Sequence, residues 1–129
     1  MSVEDQQRAD ERLVELAEVA TLGWQTFVSF EPLLSEIKLS SEWLAIGWAI
    51  IGGESGPGAR PCEIDWIRSL LKQAKVAAIP AFVKQVGSRP DGWWTNANGP
   101  RFNRHAIKHP RGGNSAEWPE DLRVREGPR

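Results

Sequence analysis

Three short apolar runs, each broken off by residues that cannot extend it, constrain this chain most. Thr26-Phe27-Val28-Ser29-Phe30 stops at Glu31-Pro32, and Ala81-Phe82-Val83 stops at Lys84-Gln85. Between them, Trp48-Ala49-Ile50-Ile51 stops at Gly52-Gly53-Glu54-Ser55-Gly56-Pro57-Gly58. Continuous apolar runs of this length suit strands buried on both faces, as in parallel sheets. Proline lacks the N–H that a central strand donates, so Pro32 closes the first run. The glycine stretch closes the second with backbone freedom that only glycine supplies.

Helices are expected between the runs. Over 4–21, Val3, Leu13, Leu16, Ala17 and Ala20 recur near a 3.6-residue period among charges, with Ser2 and Asp5 as a capping pair and Gly23 as a stop. Ser40 or Ser41 caps a short helix that ends at Leu44 or Ala45. Asp65 caps a helix over 65–77, striped by Trp66, Ile67, Leu70, Leu71 and Ala74. Helix alternating with strand predicts βαβ units on a parallel sheet. The expected fold class is therefore α/β, with a partial, half-barrel-like parallel sheet over residues 1–87. Residues 88–129 read as an irregular basic tail packed on the same domain. Within it, the Pro-, Gly-, Asn- and Arg-rich 88–115 reads as loop anchored by Trp93, Trp94 and Phe102, and 116–124 as a turn and strand that buries Trp118, Leu122 and Val124. A chain of 129 residues suits one domain.

Charge and cysteine content narrow the function classes. Residues 1–85 hold 8 Lys/Arg and 12 Asp/Glu, while 86–129 hold 8 and 5 with both histidines. The tail has charge to offer phosphate, but a basic wrap on an acidic body explains the split without nucleic acid. One cysteine, Cys62, leaves neither an internal disulfide nor a thiolate metal site from this chain alone. Cys62 precedes a helix with no histidine beside it in sequence, and it reads as an inert thiol. His105 and His109 have the spacing of a ligand pair, but Pro110 opposes a helix there and no third ligand follows; no metal site is expected. No apolar run reaches membrane-spanning length and no leader is apparent, so a cytoplasmic location without membrane contact is expected. Seven tryptophans with no tyrosine point to buried contacts that a chain this short does not close by itself.

Ligands of parallel α/β folds bind at the C-terminal ends of the strands. Those ends carry Glu31, then Gly52, Gly53, Glu54 and Ser55, then Lys84 and Gln85, with Glu4 joining them if it too follows a strand. The rim so formed offers carboxylates, an ammonium and an amide, with Arg60 within reach of an anion near the glycine loop. Each also has an ordinary explanation. Glu31 can be a turn acid, and a salt bridge to Glu31 or Glu54 satisfies Lys84 without any catalysis. The glycine run lacks the spacing of both phosphate-binding loop signatures.

Phe27-Val28-Ser29-Phe30-Glu31-Pro32-Leu33-Leu34, the block from Trp48 to Pro61 containing Gly52-Gly53-Glu54-Ser55-Gly56-Pro57-Gly58-Ala59-Arg60-Pro61, Phe82-Val83-Lys84-Gln85-Val86-Gly87, and Glu117-Trp118-Pro119-Glu120-Asp121-Leu122-Arg123-Val124-Arg125-Glu126 resemble stretches of a large family of uncharacterised bacterial and phage proteins. The opening Ser2-Val3-Glu4-Asp5-Gln6 is similar to a strand-to-helix junction of that family. Its full-length members look like radical S-adenosylmethionine proteins whose N-terminal half carries a Cys-x3-Cys-x2-Cys motif for a four-iron cluster. The resemblance implies that this chain is the C-terminal portion of such a fold, without the cluster motif and not catalytic alone. S-adenosylmethionine and the cluster then belong to full-length relatives, and this chain holds no cofactor. The expected partner is the N-terminal half or a second copy of the chain, brought together by an exposed sheet edge. The alternative is a phage-associated nucleic-acid-binding or protein-interaction module. An independent hydrolase built on Glu31 and Glu54 lacks a nucleophile and base pair.

Overall fold

The computed structural model describes residues 1–95 and 98–128. The chain is mixed α/β, with two α-helices and two small sheets among the described residues. The first sheet holds β1 (Val28–Phe30), β2 (Ala49–Gly52) and β4 (Ala81–Gln85), parallel and in the order β1-β2-β4. The three apolar runs are thus its three strands. Val28 pairs with Ala49, and Ala49 with Ala81, so the chain climbs the sheet in sequence order. Among the described residues the sheet does not close into a barrel.

Side chains alternate across these strands. Val28, Phe30, Ala49, Ile51, Ala81 and Val83 are fully or almost fully buried in one core with both helices. Helix α1 (Gln6–Thr21) presents Ala9, Leu13 and Leu16 to that core, and α2 (Ile64–Val76) presents Ile64, Ile67, Leu70 and Ala74. Both sets keep the i, i+3, i+4, i+7 pattern of a helix with one apolar face. The helices start differently from expectation. Asp5 itself is the N-cap of α1, its carboxylate accepting from the Arg8 N–H at 2.9 Å, and Ser2 lies outside the helix. Asp65 is not the cap of α2; Glu63 precedes that helix without a side-chain cap, and Asp65 pairs with Arg68 at 2.9 Å. A short 3₁₀ helix, Ser41–Ala45, carries the chain from β1 to β2 and buries Trp43 and Ala45.

Both edges of this sheet are covered. Beside β1, Val3 N–H donates to the Ser29 carbonyl and Ser29 N–H to the Met1 carbonyl. Beside β4, Val83 N–H donates to the Val124 carbonyl and Glu126 N–H to the Ala81 carbonyl. The Glu126 carboxylate accepts from Ala81 N–H at 3.0 Å, and its carbonyl from Trp48 Nε1 at 2.8 Å. The exposed edge expected to drive association is therefore occupied at β4 by the chain's own last residues.

The tail is more regular than its composition suggests. β5 (Pro90–Thr95) and β6 (Asn98–Asn103) form an antiparallel hairpin, and β3 (Cys62–Glu63) joins β5 in parallel, giving a second sheet of order β3-β5-β6. Phe102 is fully buried and Trp94 packs edge-on against it, ring centroids 5.8 Å apart. Trp118 and Leu122 are also fully buried in the common core. Arg68 fastens the pieces together: from α2 its guanidinium donates to Asp121 at 2.6 Å and to the Trp93 and Trp94 carbonyls at 2.8 Å.

Candidate functional site

Parallel pairing places the C-terminal ends of β1, β2 and β4 together, and three of the expected side chains meet there. Gln85 is nearly buried, and its Nε2 donates to Glu31 Oε1 at 3.1 Å and to the Gly53 carbonyl at 3.0 Å. Lys84 Nζ lies 3.4 Å from the same Glu31 oxygen, and Ser29 Oγ donates to Glu31 Oε2 at 3.4 Å. Gly52 sits against Glu31 and Gln85, where an added Cβ would meet both side chains at 3.4–3.5 Å. Glu31 is thus a shared acceptor for two strands. A half-exposed pair such as Lys84–Glu31 contributes at most about 1 kcal/mol, so its value lies in placing charge rather than in holding the fold.

Glu54, Ser55 and Arg60 are held apart from this group. Arg60 grips Glu54 through two parallel bonds, Nε to Oε1 at 3.0 Å and Nη2 to Oε2 at 2.7 Å, and adds its backbone N–H at 2.9 Å. Those side-chain and backbone bonds pull the Glu54 carboxyl down to about 2. Ser55 is exposed. The loop is pinned from behind: Ser88 N–H donates to the Glu54 carbonyl, Gly56 N–H to Ser88 Oγ, and Ser88 Oγ to the Pro110 carbonyl. Gly53 has a packing reason as well, since a Cβ there would lie 2.6 Å from the Val86 carbonyl oxygen and 3.0 Å from Cys62 Cβ. Gly53 is thus accounted for by backbone contact with Val86, Gly52 by the Glu31 and Gln85 side chains, and Gly56 and Gly58 by positive φ angles of 95° and 73°. Glu4 pairs with Arg12 at 3.2 Å, an interaction of α1 with its own N-terminus.

The second face of the sheet carries a feature beyond the strand ends. Phe27, Ser29 and Glu31 share it with Trp48, Ile50, Phe82 and Lys84, and with Gly113 and Arg125 they line an open depression of about 560 Å³. Phe27 packs on Trp48 with centroids 6.5 Å apart, and Trp48 on Phe82 at 6.3 Å and near-perpendicular. The Arg125 guanidinium lies over Phe82 at 5.2 Å and over Trp118 at 5.1 Å. Its Nη2 donates to the Lys84 and Gly113 carbonyls, and no carboxylate pairs with it among the described residues. A two-residue alternation, read along β1, β2 and β4, is the sequence signal that joins these side chains.

The remaining candidates have structural roles. Burial pushes the Cys62 thiol up to about 12, which leaves it protonated and unreactive at neutral pH. His109 Nδ1 accepts from the Arg111 and Gly113 N–H groups, tying a turn. Among the described residues no cluster of three His, Cys, Asp or Glu side chains has the arrangement of a metal site, and no helix is long and apolar enough to cross a membrane.

A family model described as "Protein of unknown function (DUF5131)" matches residues 1–116. The chain belongs to the DUF5131 family. The match takes in β1, β2 and β4 with the rim residues Glu31, Lys84 and Gln85, and it stops before Arg125. No curated protein and no solved structure matches the chain.

Proposed function

We propose that this DUF5131 chain is the C-terminal portion of a phage-related, radical S-adenosylmethionine-like partial barrel, forming one wall of a composite site and not catalytic by itself. The observation that carries this reading is the two-faced sheet. One face is sealed by α1 and α2, and the other leaves Phe27, Trp48, Ile50 and Phe82 lining an open depression, with Glu31, Lys84 and Gln85 at its C-terminal end. In an α/β barrel the helices cover the outside and the inward face meets strands across the axis. The resemblance of the strand-end motifs to the longer proteins points the same way. The cluster of such proteins does not fit this chain: cluster iron takes thiolate ligands, and Cys62 is single, buried and protonated. The basic tail supports nucleic-acid binding less well, because Arg101 pairs with Asp91 while Arg123 donates to carbonyls within the fold.

Anaerobic treatment with iron and sulfide tests the proposal, using the chain alone and mixed with the cysteine-bearing half of a full-length family relative. The chain alone should gain no cluster chromophore, whereas the mixture should gain one and co-elute as a complex. Cluster uptake by the isolated chain, or separate elution of the two halves, would overturn it.

A further inference from the structure

We infer that the open sheet face binds a planar aromatic ligand bearing an anionic group, the ring on Trp48 and Phe82 and the anion at Arg125. The inference rests on the composite-site reading, to which it adds a ligand class. Its first support is shape and chemistry. A depression of about 560 Å³ falls within the usual range of small-molecule sites, and its floor is aromatic with a few polar groups on one side. The Phe27–Trp48–Phe82 chain of tilted and edge-on contacts leaves ring surface facing the depression, and half of the Phe27 surface is exposed. Flat ligands gain from such platforms irrespective of ring identity.

The second support is the charge at the depression. Lys84 is opposed by Glu31, and Glu31 by Lys84 and Gln85, so that group balances internally. Arg125 has no such balance among the described residues. Its position is fixed by the Phe82 and Trp118 rings and by two carbonyls that engage one nitrogen, Nη2, leaving Nε and Nη1 without a protein acceptor among the described residues. A guanidinium held in this way suits a carboxylate or phosphate, which it can meet through two parallel bonds. Glu31 at the strand ends disfavours an anion there and suits a ligand hydroxyl or amine, which orients the ligand with its acid toward Arg125.

Two sources of this chemistry, nucleotides and aromatic carboxylic acids, are separated by calorimetric titration. The probes are guanosine monophosphate, guanosine, indole-3-carboxylate and inorganic phosphate, applied to the chain alone and to the complex with the cysteine-bearing half. At least one ring-bearing anion should bind, and guanosine and phosphate each more weakly than the monophosphate. Arg125→Gln and Phe82→Leu should each weaken that binding about tenfold or more, with thermal melting confirming that both variants fold. Absence of binding by both ring-bearing anions to chain and complex, or binding unchanged in both variants, would overturn the inference. Equal binding of guanosine and its monophosphate would overturn the anionic component. A complex that forms and gains its cluster but binds no probe would sink the ligand class and leave the composite-site reading standing, whereas failure of the halves to associate strikes that reading.

Discussion

Gly53 shows how a residue that looks like ligand chemistry can be a packing requirement. Its Cα faces the Val86 carbonyl and Cys62 so closely that a methyl group has no room. Gly53→Ala should therefore destabilise the fold by about 1–3 kcal/mol through overpacking, read from urea denaturation. Ser55→Ala, two residues on in the same block but exposed, should change stability by less than about 0.5 kcal/mol. Equal effects would contradict the packing account. Glu54 makes a separate prediction from its charge. Its carboxyl falls from an ordinary 4.5 to about 2, so the Arg60 clamp stabilises the fold fully above pH 4.5 and loses that contribution as pH drops toward 2. Carbon-detected NMR titration should place the Glu54 midpoint near 2, and Glu54→Gln should flatten the stability profile between those pH values. A midpoint near 4.5 would show that the clamp does not persist in solution.

At the scale of elements, Arg68 and the closing segment are the joints. The Arg68 side chain is one-tenth exposed and joins α2 to β5 and to Asp121. Arg68→Met leaves the Trp93 and Trp94 carbonyls and the facing Asp121 carboxylate without their donor, and should cost about 3 kcal/mol in chemical denaturation. Ending the chain after Arg123 removes the backbone bonds that cover β4 and should produce concentration-dependent self-association in light scattering. A truncated chain that stays monomeric would mean that this cover is dispensable. The three parallel strands were legible because each is a short apolar run with an abrupt stop. The β5–β6 hairpin was not, because Gly92, adjacent Trp93 and Trp94, and Pro100 interrupt the period-two signal, and because its pairing with β3 and the burial of Phe102 arise only in the tertiary structure. Among the candidate site residues, Glu31, Lys84 and Gln85 converge since strand ends of a parallel sheet must. Glu54 does not join them because the contact of Gly53 with Val86 directs the following loop toward Arg60.

For the whole molecule, the consequence is asymmetry. One core joins both helices, the parallel strands, Phe102 and Trp118, while the second face of the parallel sheet keeps a row of half-buried and exposed aromatic side chains, next to an arginine without a carboxylate partner among the described residues. Aromatic rings stabilise a fold mainly through burial, so a ladder of three beside an open depression is better suited to an external contact than to the stability of this chain. Hydroxyl-radical footprinting of Phe27, Trp48 and Phe82, with and without the cysteine-bearing half of a family relative, tests this most directly. The account predicts labelling of all three rings in the isolated chain, strongest at Phe27, and protection in the complex, with buried Trp118 unlabelled throughout. Rings already protected in the isolated chain, or labelled equally in both states, would contradict it.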